Sequence, residues 1–241
     1  MSTARRDRPT TTSRVKLVFF TLVMLGVAGL LLLASSAPLF SFTPFESDVV
    51  NGMLNYQLSA LPVVALALAA TFVFARKTKL DFLRPRRIGE MRPFLGVSLG
   101  TRWEKDALPI ALIMAAIIGV TTYFQLLPGG YTFNWVYLAL VVPFAAANAF
   151  TEEAIFRLPY VTVGADLTTS RVYGLVMGAL VFGVIHYWGV APNGLIGAIM
   201  SAWLGYYLAK SIQETRGFFW AFTTHFLLNL VGMVFILNRS A

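Results

Sequence analysis

The chain has 241 residues, of which 57% are hydrophobic and only 12% charged, with a net charge of +8 and no cysteine. Soluble domains carry about a quarter charged residues, so this composition excludes a water-covered globular surface, and its apolar richness excludes disorder. The absence of cysteine excludes disulfides, zinc–thiolate sites and thiol nucleophiles. The basic residues cluster between long apolar runs, which argues against nucleic acid as a partner and for membrane topology.

Residues 1–16 are polar and basic, with Arg5, Arg6, Arg8, Arg14 and Lys16, and read as a cytoplasmic tail. The apolar run Leu17–Leu33 follows. It exceeds the roughly 7–15-residue core of a secretory signal, and Pro38 follows the small residues 34–37, so it reads as a retained first helix. Further spans are expected at 52–75, 107–126, 134–160, 171–188, 193–211 and 218–237. Each has the apolar length to cross a bilayer. All should be helical, because backbone facing lipid must satisfy its own hydrogen bonds and no alternating barrel pattern is present. The expected fold is all-α, a polytopic helical transmembrane bundle of about seven spans, six to eight as the range. The N-terminal helices occupy 17–133, with a basic cytoplasmic loop at 76–106, and a helical core occupies 134–241.

Orientation follows from Lys and Arg. Segment 76–106 carries nine of them, whereas 38–51 carries none and 127–133 has no charge at all. The positive-inside rule therefore places the N-terminus and 76–106 in the cytoplasm. Within that loop Phe82, Leu83, Phe94 and Leu95 interleave the basic residues. This suits either an interfacial stretch on anionic lipid or a plain loop. The expected location is integral to a membrane, a bacterial inner membrane with the N-terminus cytoplasmic, and the bilayer itself is the first partner.

Ionisable residues inside spans are expensive and mark functional sites by default. Here they are few: Glu152, Glu153 and Arg157 in Thr151-Glu-Glu-Ala-Ile-Phe-Arg157, then His186 and His225, the only histidines of the chain. Glu153 and Arg157 are one helical turn apart and can pair. Glu152 is rotated by about 100° from Glu153 and stays available. Phe182 and His186 share a face, as do His225 and Asn229, and Asn148 lies one turn before Glu152. Each pattern alone has a structural explanation, such as an ion pair bracing helices or an interhelical hydrogen bond. Together they suggest one shared polar site.

Glu-Glu-x-x-x-Arg at 152–157, Phe-x-x-x-His at 182–186 and His-x-x-x-Asn at 225–229, in that order on separate apolar helices, resemble the CPBP family. This family contains the type II CAAX prenyl endopeptidases and related bacteriocin-processing or immunity-associated membrane proteins. The resemblance covers roughly 134–237; the N-terminal half agrees only in being hydrophobic. It implies an intramembrane endopeptidase in which Glu152 activates water, His186 is the second catalytic position, and His225 and Asn229 hold the oxyanion. Glu153 and Arg157 complete the first motif as supporting residues.

The residue chemistry agrees with that implication. Without a serine or cysteine nucleophile, peptide hydrolysis needs activated water, a proton carrier and an oxyanion donor. A cofactor is not expected. Zinc is the mechanistic rival, with Glu152, His186 and His225 as its ligands, but no His-Glu-x-x-His is present. Nor does Gly164-Ala165-Asp166 provide the Gly-x-Gly-Asp of an aspartyl enzyme; it reads as a loop. The expected partner is a peptide or protein substrate, membrane-associated in the simplest case, reached through a cavity that opens toward the cytoplasm. Two alternatives are a non-catalytic immunity or regulatory protein that retains the site, and a small transporter using a proton relay. The transporter is weakened by the lack of an inverted repeat.

Simple alternation leaves one conflict. It puts Glu152 in the inner half of its span and His186 near the outer end of the next. Convergence requires the fourth span to continue beyond Arg157, or 158–170 to dip into the protein, with Pro159 as the point of a break.

Overall fold

The computed structural model describes residues 10–75, 77–94, 97–168 and 170–240. Arg5, Arg6 and Arg8 of the basic tail, and Arg76 and Leu95 of the basic loop, lie outside the described residues. Among the described residues the architecture is all-α, with isolated bridges but no strand. The helices are α1 (Thr11–Ser36), α2 (Asp48–Phe74), α3 (Trp103–Leu126), α4 (Trp135–Phe156), α5 (Leu158–Leu167), α6 (Val172–Ile185), α7 (Gly194–Thr215) and α8 (Phe219–Leu237). Six stretches are long and apolar enough to cross a membrane, with α4 and α5 together counting as one, Trp135–Leu167. The shorter α6 makes the seventh member of the bundle.

α1 begins inside the stretch expected as a tail, because the Thr10 side chain accepts the Ser13 N–H as an N-cap. The connection from α1 to α2 descends along α2 in extended form. Asn51 accepts the Phe45 N–H and donates to the Phe45 carbonyl, and Asn55 does the same with Phe42. Ser59 accepts the Leu39 N–H. One polar side chain per turn of α2 thus satisfies backbone that lipid could not.

The first half of α4, through Ala147, is apolar on every side, which suits a central position, and the helix packs against α1, α2, α5, α6 and α8. From Thr151 to Gly164 every residue is buried. Pro159 cannot donate to the carbonyl of Ile155 and its ring collides with it, so the helix breaks at Arg157 and resumes as α5. The fourth span therefore continues well beyond Arg157, as convergence of the site demanded. Asp166, expected in a loop, is on α5. Its carboxylate accepts the N–H groups of Lys77 and Thr78 and moors the basic segment.

Helices α6 and α7 form the closest pair. Gly178 lies against Gly205 and Ala209, and Gly183 against Ala198 and Ala202. Small residues at these positions let two backbones approach, the main source of helix association in lipid. α6 is short, rising about 21 Å at about 1.5 Å per residue, less than the roughly 30 Å of a hydrocarbon core. Its C-cap is His186, which opens a tight 3-10 turn, His186–Trp188. The histidine expected near the end of its span is thus at a helix end, as a C-cap, rather than within a helix.

The described residues of 77–102 fold across one end of the bundle. Trp220 donates from its indole to the Arg87 carbonyl, Phe218 N–H donates to Arg84, and the Trp103 indole donates to Glu214. Glu214 is also paired with Lys210. Phe82, expected among interfacial residues, is turned inward and buried.

Candidate active site

Three helices place the titratable groups. Glu152 and Glu153 come from the buried second half of α4, His186 from the end of α6, and His225 from α8. Glu153 is entirely buried and pairs with Arg157 at 3.2 Å. The Arg157 guanidinium lies 3.4 Å from the Phe182 ring centroid, a cation–π contact. It also donates to the Glu152 carbonyl at 3.5 Å. The pair is thus neutralised and locked, as the spacing indicated.

The other oxygen-to-nitrogen contacts converge on Glu152. Its Oε1 accepts from Asn148 Nδ2 at 3.0 Å, and Asn148 Oδ1 accepts from Gln57 Nε2 at 3.3 Å. Its Oε2 lies 3.3 Å from His225 Nε2 and 4.0 Å from His186 Nε2. Oε2 is buried yet takes part in no hydrogen bond among the described residues.

The far side of each imidazole is occupied. His225 Nδ1 lies 2.7 Å from Glu153 Oε1, and His186 Nδ1 lies 2.9 Å from the Phe182 carbonyl oxygen. Both acceptors lack a proton to give, so each Nδ1 is the donor and carries hydrogen. Each Nε2 then faces Glu152 with either a lone pair or a second proton. The His186 ring also rests on Phe182, with centroids 4.0 Å apart.

Asn229, one turn after His225, lines the same cavity, and its Nδ2 donates to the Ala145 carbonyl at 3.4 Å. Glu152, His186, His225 and Asn229 therefore share one cavity, with Glu153 and Arg157 directly behind His225. Sequence reading missed Gln57 and Tyr56 of α2, and Ser201 of α7, which also line it or support it. Their signal was an uncharged polar residue in an otherwise apolar span, which is weaker than a charge.

The cavity has a volume of about 510 Å³. Its upper wall is Ser35 at the end of α1, Asp48 at the start of α2, the turn 188–192, and Arg239 just after α8. All these positions lie at the end of the bundle opposite the basic segment 77–102, none of whose described residues lines the cavity. The expectation that the cavity opens on the basic, cytoplasmic side is therefore corrected: α6 stops short, and the resulting recess opens the other way.

Glu152, His186 and His225 are the donors a zinc ion would require. Among the described residues no group of three or more His, Cys, Asp or Glu is arranged to hold a metal ion.

Residues 132–231 match the family model described as Type II CAAX prenyl endopeptidase Rce1-like. No curated protein and no solved structure matches the chain. The matched stretch contains Asn148, Glu152, Glu153, Arg157, His186, Ser201, His225 and Asn229, leaving outside it the cavity walls from α1, α2 and α3 and the lining residues from Gly232 onward. Over residues 132–231 the chain is thus similar to the Rce1-like type II CAAX prenyl endopeptidases, and this stretch is carried in an integral membrane bundle.

Proposed function

We propose that this protein is an intramembrane endopeptidase in which Glu152 activates water against a peptide bond. One observation carries the reading: a buried carboxylate oxygen, Glu152 Oε2, accepts no hydrogen bond and faces the cavity between two imidazole Nε2 atoms. Water drawn to Oε2 gives its proton to the carboxylate as its oxygen attacks the carbonyl carbon. His186 Nε2, its ring fixed by Phe182, orients that water. Charge on the carbonyl oxygen is met by Asn229 Nδ2 and by His225 Nε2–H. Glu153 supports the imidazolium form of His225, in the manner of a carboxylate behind a catalytic histidine. The C–N bond then breaks as protonated Glu152 returns its proton to the leaving amine. One water is consumed, and a carboxylic acid and an amine are released. Gln57 and Asn148 hold Glu152 in position. The setting is a bacterial inner membrane with the N-terminus in the cytoplasm.

The test compares wild-type protein with Glu152→Gln in detergent, using a mixed peptide library and mass-spectrometric detection of new termini. Gln is nearly isosteric but cannot take the proton. Cleavage should fall at least about 10²-fold, with the unfolding midpoint little changed. Equal cleavage by both proteins rejects the reading, and a partner-binding phenotype that survives in Glu152→Gln supports the immunity or regulatory alternative.

A further inference from the structure

We infer that the cavity receives its substrate from the non-cytoplasmic face of the membrane, and that the substrate is an apolar stretch flanking the anchor of a membrane polypeptide. The cleavage half of this statement rests on the function proposed above; the direction of access does not.

The cavity occupies one half of the bundle only. On α1 its walls come from the final turns (Leu31 to Ser35), on α2 from the opening turns (Asp48 to Tyr56), and on α7 from the first half (Ser201, Leu204). On α8 they run from His225 toward the C-terminal end, where Arg239 closes the series. These termini are on the same side, because successive spans alternate in direction. At the other end, the described residues of 77–102 are tied down by the Arg92 N–H donating to Glu214 and by the Trp220 indole donating to the Arg87 carbonyl.

Charge distinguishes the two ends. The connections on the cavity side, 37–47, 127–134 and 186–193, contain no Lys or Arg, and only Arg239 follows α8. The opposite end carries eight basic residues between Lys77 and Lys105, together with Arg14, Lys16, Arg171 and Arg216. Short loops with such a bias orient a bundle with the basic end in the cytoplasm. The open end then faces away from it.

The depth and chemistry of the cavity select the substrate. α2 rises about 12 Å from Asp48 to Tyr56, and α8 about 18 Å from His225 to its last residue, at about 1.5 Å per residue. A scissile bond must be lowered that far below the helix ends. The upper walls present Leu31, Leu32, Met53, Val190 and Ile236. Apolar side chains are accommodated there at little desolvation cost, and a chain anchored in the same bilayer supplies them at the right depth. A lipidated tail presented in the cytoplasm would meet the basic end instead.

The chain lacks cysteine, so the native protein is the background for single-cysteine labelling. Val190→Cys at the mouth and Lys77→Cys in the basic segment are expressed separately and treated with a membrane-impermeant maleimide on intact spheroplasts. The total thiol is titrated after detergent. Val190→Cys should label at least tenfold more completely than Lys77→Cys before permeabilisation, and the two should become equal after it. Equal or inverted labelling before permeabilisation overturns the orientation. A biotinylated, photoreactive Leu/Ala-rich peptide then probes the substrate class. Cross-linking should be several-fold stronger in right-side-out than in inside-out vesicles, and should fall when Val190→Cys is first alkylated. Equal capture from both faces, or capture unaffected by alkylation, overturns the substrate assignment. Neither readout depends on turnover, so a correctly oriented protein that cleaves nothing would defeat the proposed hydrolysis alone.

Discussion

His225 Nδ1 lies 2.7 Å from Glu153 Oε1, and both side chains are sealed from solvent. That contact ties the second acid of the tandem pair to the imidazole. It fixes the ring and the tautomer, so that Nε2 is the atom presented to Glu152 and to the cavity. Glu153 itself does not line the cavity.

Glu153→Gln should therefore act on turnover rather than on binding. Gln retains the shape but removes the charge that supports an imidazolium, and it can offer His225 the wrong hydrogen-bond partner. We expect kcat to fall about 10²–10⁴-fold, the range seen when a carboxylate behind a catalytic histidine is made neutral. KM should move less than threefold by the same logic of remote action. Steady-state kinetics on a cleaved library peptide measure both. A large KM change with kcat preserved would show Glu153 to be a binding residue instead.

Arg157 answers a different question, that of stability. Its side chain is completely buried against Glu153 and the face of Phe182. Arg157→Met leaves Glu153 charged and without its guanidinium. Breaking a buried pair on one side costs about 3–5 kcal/mol, whereas replacing both partners can be close to neutral. Arg157→Met should lower the unfolding midpoint in detergent strongly. Glu153→Gln combined with Arg157→Met should recover at least half of the loss while remaining inactive. A double variant no more stable than Arg157→Met would mean that the cation–π contact, not the ion pair, holds the arginine.

Metal dependence has a direct measurement. The proposed steps use only Glu152, His186, His225 and Asn229, so prolonged treatment with EDTA or phenanthroline should leave cleavage within about twofold of the untreated rate, far less than the several kcal/mol a Lewis acid contributes. Loss of activity that zinc restores would transfer the chemistry to a zinc site built from Glu152, His186 and His225.

Charges in apolar surroundings were legible in the sequence because each is costly and so demands a reason. This is why Glu152, Glu153, Arg157 and both histidines could be grouped before any geometry, and why their spacing identified the Glu153–Arg157 pair. Three things were hidden. The reach of α6 depends on where its helix stops, and His186 is as compatible with a helix interior as with a C-cap. Gln57 carries no charge, and its partner Asn148 is on a different helix. The direction of the opening depends on which half of each helix lines the cavity, a property of packing between helices that no single span encodes.

The position of His186 itself depends on a glycine of the adjoining helix α7. A Cβ on Gly197 would stand 2.4 Å from the Pro192 carbonyl oxygen and 3.0 Å from that of His186. Both are backbone atoms of the turn that carries the histidine, so no side-chain rotation relieves the overlap. Gly197→Ala must push the turn away from α7 and draw the imidazole from Glu152, now 4.0 Å distant. We expect kcat to fall at least tenfold, consistent with the sensitivity of catalysis to displacements near 1 Å. The control is Gly26→Ala on α1, where a Cβ meets nothing within 4 Å. There the added methyl removes backbone freedom from a helix interior and should stabilise by up to about 1 kcal/mol, with activity unchanged. If both substitutions leave cleavage alike, the turn yields without moving His186, and the histidine is not held by the approach of α7.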